Sequence, residues 1–227
     1  KSLRAADLII IGSHCVGVDY LIGEIQKKGY LVKFIPVGSM GGIRAIKRGE
    51  CDMAGSHLMD EKTGVYNAHL LNDELKLVKG YRRNQGIVFR KEDQQFSDLQ
   101  VDFQKTMLKV LENPSVRMIN RNRGSGTRVL LDGILGDHQP PGFLSEAKSH
   151  NAVAAAIAQS RADWGMAIKS VADNLDLGFF PYQDEEYDFV ISVESMASPA
   201  VTAFLEILKD STTQQALAKM GLLIQDQ

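Results

Sequence analysis

Short apolar runs alternate along this chain with stretches in which apolar residues recur at helical spacing. Leu8-Ile9-Ile10-Ile11 is a continuous apolar run that ends at Gly12-Ser13-His14. This is the pattern of a strand buried on both faces, as a parallel sheet requires. Tyr20, Leu21 and Ile25 then follow a helical period towards Gly29, and residues 30–37 read as a second strand. A glycine loop, Gly38-Ser39-Met40-Gly41-Gly42, opens a short helix that Gly49 closes, and residues 51–55 read as a third strand running into Ser56-His57. The series is β-α-β-α-β, the signature of a parallel α/β layer.

The pattern then restarts. Residues 61–72, with Tyr66 among them, are polar and irregular, the composition of a loop at a strand's carboxyl end. Residues 75–79 and 87–89 read as two separate strands divided by Tyr81-Arg82-Arg83-Asn84-Gln85. Leu99, Phe103, Met107, Leu108 and Leu111 define a helix that Asn113-Pro114 stops. Met118-Ile119 ends in the polar turn Asn120-Arg121-Asn122-Arg123-Gly124-Ser125-Gly126-Thr127, after which Val129, Leu130, Leu131, Ile134 and Leu135 resume helical spacing. Ser149-His150 caps an alanine-rich helix over 152–159. Strands follow at 162–167, 178–181 and 187–193, with a helix at 171–175 and two amphipathic helices over 199–208 and 213–220. The expectation is an α/β protein of two lobes, each a mostly parallel sheet flanked by helices. Residues 1–80 with 188–227 form one lobe and 81–187 the other.

Composition narrows the function. The 227 residues have room for two lobes of about 100 each. A formal net charge of −2 argues against nucleic-acid binding driven by bulk charge. No apolar run reaches the roughly 18 residues of a membrane span. Cys15 and Cys51 are the only cysteines, too few for a disulfide framework, so reduced thiols are expected. The chain opens on Lys1 rather than methionine, which suggests a trimmed chain. A cytoplasmic location is favoured, with the periplasm as alternative if a leader was removed.

The candidate chemistry lies at the loops between strands and helices. Gly38 to Gly42 lacks the Lys-Ser/Thr ending of a P-loop, and Gly124-Ser125-Gly126 is followed by Val129 where a dinucleotide fingerprint needs glycine. No Gly-x-Ser-x-Gly elbow is present. What remains is two helix starts that present amide and hydroxyl donors, a natural seat for a small anion. Arg121 adds a cationic fork, while Arg128 is expected to pair with Asp132 one turn on. Trp164 can wall a cleft or fill a core.

In order along the chain, Gly12-Ser13-His14, Gly38-Ser39-Met40-Gly41-Gly42, Gly49 to Asp60, Tyr66-Asn67, Arg83-Asn84-Gln85-Gly86, Asn120-Arg121, Gly124 to Arg128, Ser149-His150, Ala162-Asp163-Trp164-Gly165 and Glu186-Tyr187-Asp188 resemble one family. It is the periplasmic-binding-protein-like domain of type II solute-binding fold, in the branch fused to helix-turn-helix regulators and molybdopterin-biosynthesis proteins. The resemblance implies a non-catalytic clamshell without cofactor that closes on a small solute, and a fused or partner regulatory or transport domain. The expected ligand is anionic, with molybdate or tungstate preferred over an organic anion. The expected ligand-binding residues are Ser13, His14, Ser39, Gly41, Ser56, His57, Tyr66, Arg121, Ser125, Gly126, Thr127 and His150. The alternatives are a metal-assisted hydrolase using His14, His57 and Asp60, and a domain that acts by dimerising within a larger regulator.

Overall fold

A computed structural model describes residues 6–60 and 62–224. Residue 61 of the expected loop and the outermost residues of the first lobe lie outside it. In chain order the elements are β1 Leu8–Gly12, α1 Val16–Lys27, β2 Val32–Pro36, α2 Ser39–Lys47, β3 Met53–Ser56 and β4 Leu75–Phe89. There follow α3 Phe103–Glu112, β5 Met118–Arg121, α4 Gly126–Leu135, β6 Glu146–Ala147, α5 His150–Ala158, β7 Trp164–Ile168 and α6 Lys169–Asn174. The chain ends with β8 Gly178–Ser192, α7 Pro199–Lys209, α8 Ser211–Lys219 and β9 Leu223–Ile224. Among the described residues no helix is long and apolar enough to cross a membrane.

The chain divides into two compact units, one reaching Arg83 and resuming at Glu185, the other Asn84–Asp184. Each crossing lies three residues from the boundary expected at 80/81 and at 187/188, because both fall inside unbroken strands.

In the first unit β1 runs parallel to β2 and β3, and β3 pairs antiparallel with β8, Met53 opposite Ile191 through Ser56 opposite Asp188. Leu8 and Ile10 pack with Val18, Leu21, Ile25, Phe189 and Phe204 on one side, while Ile11 packs with Ile43, Ile46 and Val190 on the other. The apolar run of β1 is therefore needed on both faces, as its composition predicts.

In the second unit β7 lies between β4, to which it is antiparallel, and β5, to which it is parallel; β6 extends the sheet beyond β5. Ile87, Met107, Leu111, Met118, Leu131 and Met166 surround Trp164, which is fully buried. Trp164 is thus a core residue. Opposite, Val88, Val153, Ile157, Ile168 and Val171 pack under α5 and α6. Ser149 caps α5 as the sequence suggests, accepting from the Ala152 amide, and Ser125 and Ser198 likewise accept from the amides of Arg128 and Val201.

Two expectations need correction. The segments 75–79 and 87–89 are one strand, and so are 178–181 and 187–193. Arg83 and Asn84, which looked like loop residues, meet Glu185 and Asp184 across the paired strands. Polar side chains that find partners there do not interrupt the ladder.

Candidate functional site

In the first unit the candidate residues gather at the carboxyl ends of β1 and β3. Gly38 takes a φ of 77°, which glycine adopts without steric cost, and turns the chain into α2. The first intrahelical bond of α2 is Gly42 N–H to Gly38 O. The amides of Ser39, Met40 and Gly41 therefore stand at the helix mouth, where the dipole is positive. Ser39 is buried, and its hydroxyl accepts from the His57 amide at 3.2 Å, so its proton is available to another acceptor.

Ser13 follows β1. Its amide donates to Gly55 O, its carbonyl accepts from the Tyr187 hydroxyl, and its Oγ lies 2.9 Å from His57 Nε2. His57 Nδ1 in turn lies 2.5 Å from Glu185 Oε1, and Glu185 Oε2 accepts from Arg83 Nε at 2.6 Å. Four polar side chains thus form one continuous chain, Ser13–His57–Glu185–Arg83. Behind it Tyr187 stacks on Tyr81 at 5.1 Å, with the Arg83 guanidinium 5.1 Å over the Tyr187 ring.

Burial opposes ionisation of Glu185, but the charges of Arg83 and then His57 outweigh it and hold the carboxyl at about 2. The same carboxylate raises the Arg83 pKa against the burial that lowers it. Burial, ahead of neighbouring charges, raises the Tyr81 and Tyr187 phenols. A depressed carboxyl stabilises the fold above its unfolded value of about 4.5 and loses that contribution as pH falls through about 2. The urea midpoint of the native protein should therefore fall more steeply between pH 4.5 and 2 than that of Glu185→Gln, which lacks this titration. Parallel profiles would show that Glu185 contributes no such linkage.

The other expected residues of this unit have separate environments. Ser56 is fully buried, and its hydroxyl has no partner among the described residues. Tyr66 is buried and forms a β-bridge with Met59. Next to it Asn67 holds the Leu58 amide and Asp188. His14 is half-exposed and bound to Asp19 at 2.7 Å. The expected hydrolase trio does not assemble: His14 is on Asp19, His57 is on Ser13 and Glu185, and Asp60 accepts from the Lys62 amide.

In the second unit Arg121, Ser125, Gly126, Thr127 and His150 come together. Gly124, at a φ of 82°, makes the turn into α4. Ser125 Oγ accepts from Arg128 N–H at 3.2 Å, and the amides of Gly126 and Thr127 precede the first helical bonds. Arg121 is buried; its Nη1 lies 3.1 Å from His150 Nδ1 and 3.5 Å from Thr127 Oγ1, while Nε donates to Ala147 O. His150 is the first residue of α5, so the starts of two helices meet at this guanidinium. Arg128 is engaged by Asp132 at 2.7 Å, as its spacing predicts, and also by Glu146.

A profile of the PBP superfamily domain matches residues 22–209. The chain belongs to that family. It is 31% identical over 164 residues to the uncharacterized protein YvgK of Bacillus subtilis, a match covering 68% of this chain and 51% of that protein. The chain thus spans about half the length of this curated relative. Among solved structures it is similar to a putative phosphate ABC transporter substrate-binding protein from Clostridium perfringens, solved with bound phosphate. The TM-score is 0.69 at 14% identity, over 96% of this chain and 99% of that one. It is also similar to a tungstate-binding protein from Desulfovibrio alaskensis, with a TM-score of 0.65 at 11% identity, over 97% and 99% of the two chains. These likenesses show the α/β solute-binding fold that the sequence resemblance implies.

Arg83 and Glu185 are the residues sequence reasoning missed. In the sequence Arg83 stands in an expected loop and in one of the motifs of the family resemblance, with no site role attached, and nothing local marks Glu185. A buried arginine and a buried glutamate on partner strands announce themselves only once the strands are paired.

Proposed function

We propose that this chain is a non-catalytic binding domain for a small oxyanion. The observation that carries this reading is Arg83. It is 2% exposed, its Nε is satisfied by Glu185, and its Nη1 and Nη2 meet no acceptor among the described residues. Buried donors left in this state call for an acceptor from outside the chain, an ion or water. Ser56 Oγ makes the same demand, and the mouth of α2 adds amides and the Ser39 hydroxyl. In the second unit the mouths of α4 and α5 with Arg121 and His150 offer an equivalent set. Helix amides, hydroxyls and guanidinium forks suit a tetrahedral or planar oxyanion better than a neutral solute. The phosphate and tungstate ligands named for two proteins of the same fold agree with that class. Molybdate, tungstate and phosphate are all members of it.

The test is ligand-induced thermal stabilisation with orthophosphate and tungstate. The melting temperature of the native protein should rise with ligand concentration. With Ser125→Ala and Thr127→Ala combined, the rise should disappear even after allowing for the roughly 1 kcal/mol lost with the Ser125 cap. An unchanged rise would remove the α4 loop from the site.

A further inference from the structure

The chain Ser13–His57–Glu185 also fixes the direction of a hydrogen bond, which sharpens the class of oxyanion the domain takes. This inference rests on the reading of an oxyanion site, and takes Ser13, expected from the sequence to bind ligand, as one of the residues that touch the oxyanion. Glu185 is held as a carboxylate by Arg83, at 2.6 Å on its other oxygen. A carboxylate only accepts, so the His57 nitrogen that lies 2.5 Å from it must carry a proton. In neutral His57 the proton is therefore on Nδ1, and Nε2 is a lone pair. Ser13 Oγ, 2.9 Å away, must then donate to Nε2. Its only proton is spent, and it can offer nothing but lone pairs to a ligand. Protonating His57 reverses this. Nε2 then donates to Ser13 Oγ, and the hydroxyl proton turns to the ligand.

We propose that His57 sets whether Ser13 accepts from or donates to the bound oxyanion. With His57 neutral, the site takes an oxyanion that brings its own proton, such as hydrogen phosphate. A fully ionised oxyanion such as tungstate binds only as His57 takes up one proton from solvent. The proton balance is closed in both cases: the hydrogen-bonded proton at this position belongs either to the ligand or to the imidazolium. Ser39 supplies a fixed contrast, because its hydroxyl accepts from a backbone amide and remains a donor at any pH.

Groups from several elements face His57 or its partners. Glu185 and the ring of Tyr187, stacked at 6.1 Å, come from β8. Arg83 and Tyr81 come from β4, Arg83 acting through Glu185 and Tyr81 through Tyr187, with Cys15 at 2.8 Å from the Tyr81 hydroxyl. Ser39 of α2 takes the His57 amide. Farther along the same strands Asp188 is engaged by Asn67, Lys79 and the Gly80 amide, and Lys79 by Glu186. Both ring nitrogens of His57 thus have a partner, Ser13 at Nε2 and Glu185 at Nδ1.

The experiment has a ligand-free and a ligand-bound arm. Nitrogen-15 spectra of His57 in the free protein should show the Nδ1–H tautomer in its neutral form; the Nε2–H tautomer would overturn the proposal. Calorimetry with orthophosphate and with tungstate, in buffers of different ionisation heat, should then separate the two probes. Where His57 is neutral, tungstate should bind with uptake of about one proton and weaken about tenfold per pH unit, while orthophosphate binds as the hydrogen-bearing species with no such slope. The tungstate slope should vanish in His57→Gln, which keeps a polar group beside Ser13 but cannot titrate. A flat tungstate profile in the native protein, or a slope that survives in the variant, would overturn the proposal while leaving oxyanion binding intact. Absence of binding by both probes at every pH would instead take down the oxyanion reading, and this inference with it.

Discussion

Replacing Glu185 with leucine is expected to cost about 3–5 kcal/mol of folding stability, read from urea or thermal unfolding at neutral pH. Glu185 is 1% exposed and faces Arg83, which is 2% exposed. Removing the carboxylate strands a guanidinium that already lacks acceptors for Nη1 and Nη2. It also removes the partner of His57 Nδ1, leaving two cationic or polar groups without their counterweight. The loss measures the penalty of an unpaired buried charge rather than the worth of the pair. The double variant Glu185→Leu with Arg83→Met should accordingly recover much of it, because an apolar pair of similar volume needs no solvation. A Glu185→Leu protein as stable as the native one would mean that the guanidinium reaches water, and the demand of Arg83 for an external acceptor would lose its force.

The second large effect is expected at Trp164. Trp164→Ala should destabilise the protein by about 3–5 kcal/mol, followed by circular dichroism since the variant has no tryptophan signal. The side chain is fully buried among Ile87, Met107, Met118, Leu131 and Met166, and these come from strands and helices on every side of it. Such a site cannot collapse around the missing volume. Trp164→Phe, which leaves a ring in place, should lose only a fraction as much. Equal losses for the two would point instead to the indole N–H, although Nε1 has no partner among the described residues.

The parts of this molecule that were readable from the sequence are those whose physics is local. The β1 run announced a strand buried twice over because Leu8 to Ile11 leaves no polar face. The helix mouths at Ser39 and Ser125 were visible because glycine, hydroxyl and the onset of helical spacing all lie within a few residues. The pairing of Arg128 with Asp132 follows from a single helical turn. What stayed hidden is non-local. Arg83 and Glu185 are about a hundred residues apart in sequence, so no pattern around either could show that each cancels the other's charge. The same blindness broke β4 and β8 into fragments, since a polar residue looks like a loop until its cross-strand partner is known. The sequence marks His57 as a ligand-binding candidate. Its actual role, bridging Ser13 to Glu185, depends on a strand that arrives more than a hundred residues later.

The distribution of aromatic residues gives the molecule two internal optical reporters. Its one tryptophan, Trp164, is buried in the second unit, whereas Tyr20, Tyr30, Tyr66, Tyr81 and Tyr187 all belong to the first. Only Tyr182 breaks the separation. Emission excited where tryptophan alone absorbs will therefore follow the second unit by itself. The near-ultraviolet signal of the stacked Tyr81 and Tyr187 will follow the first, in the native protein and without any label.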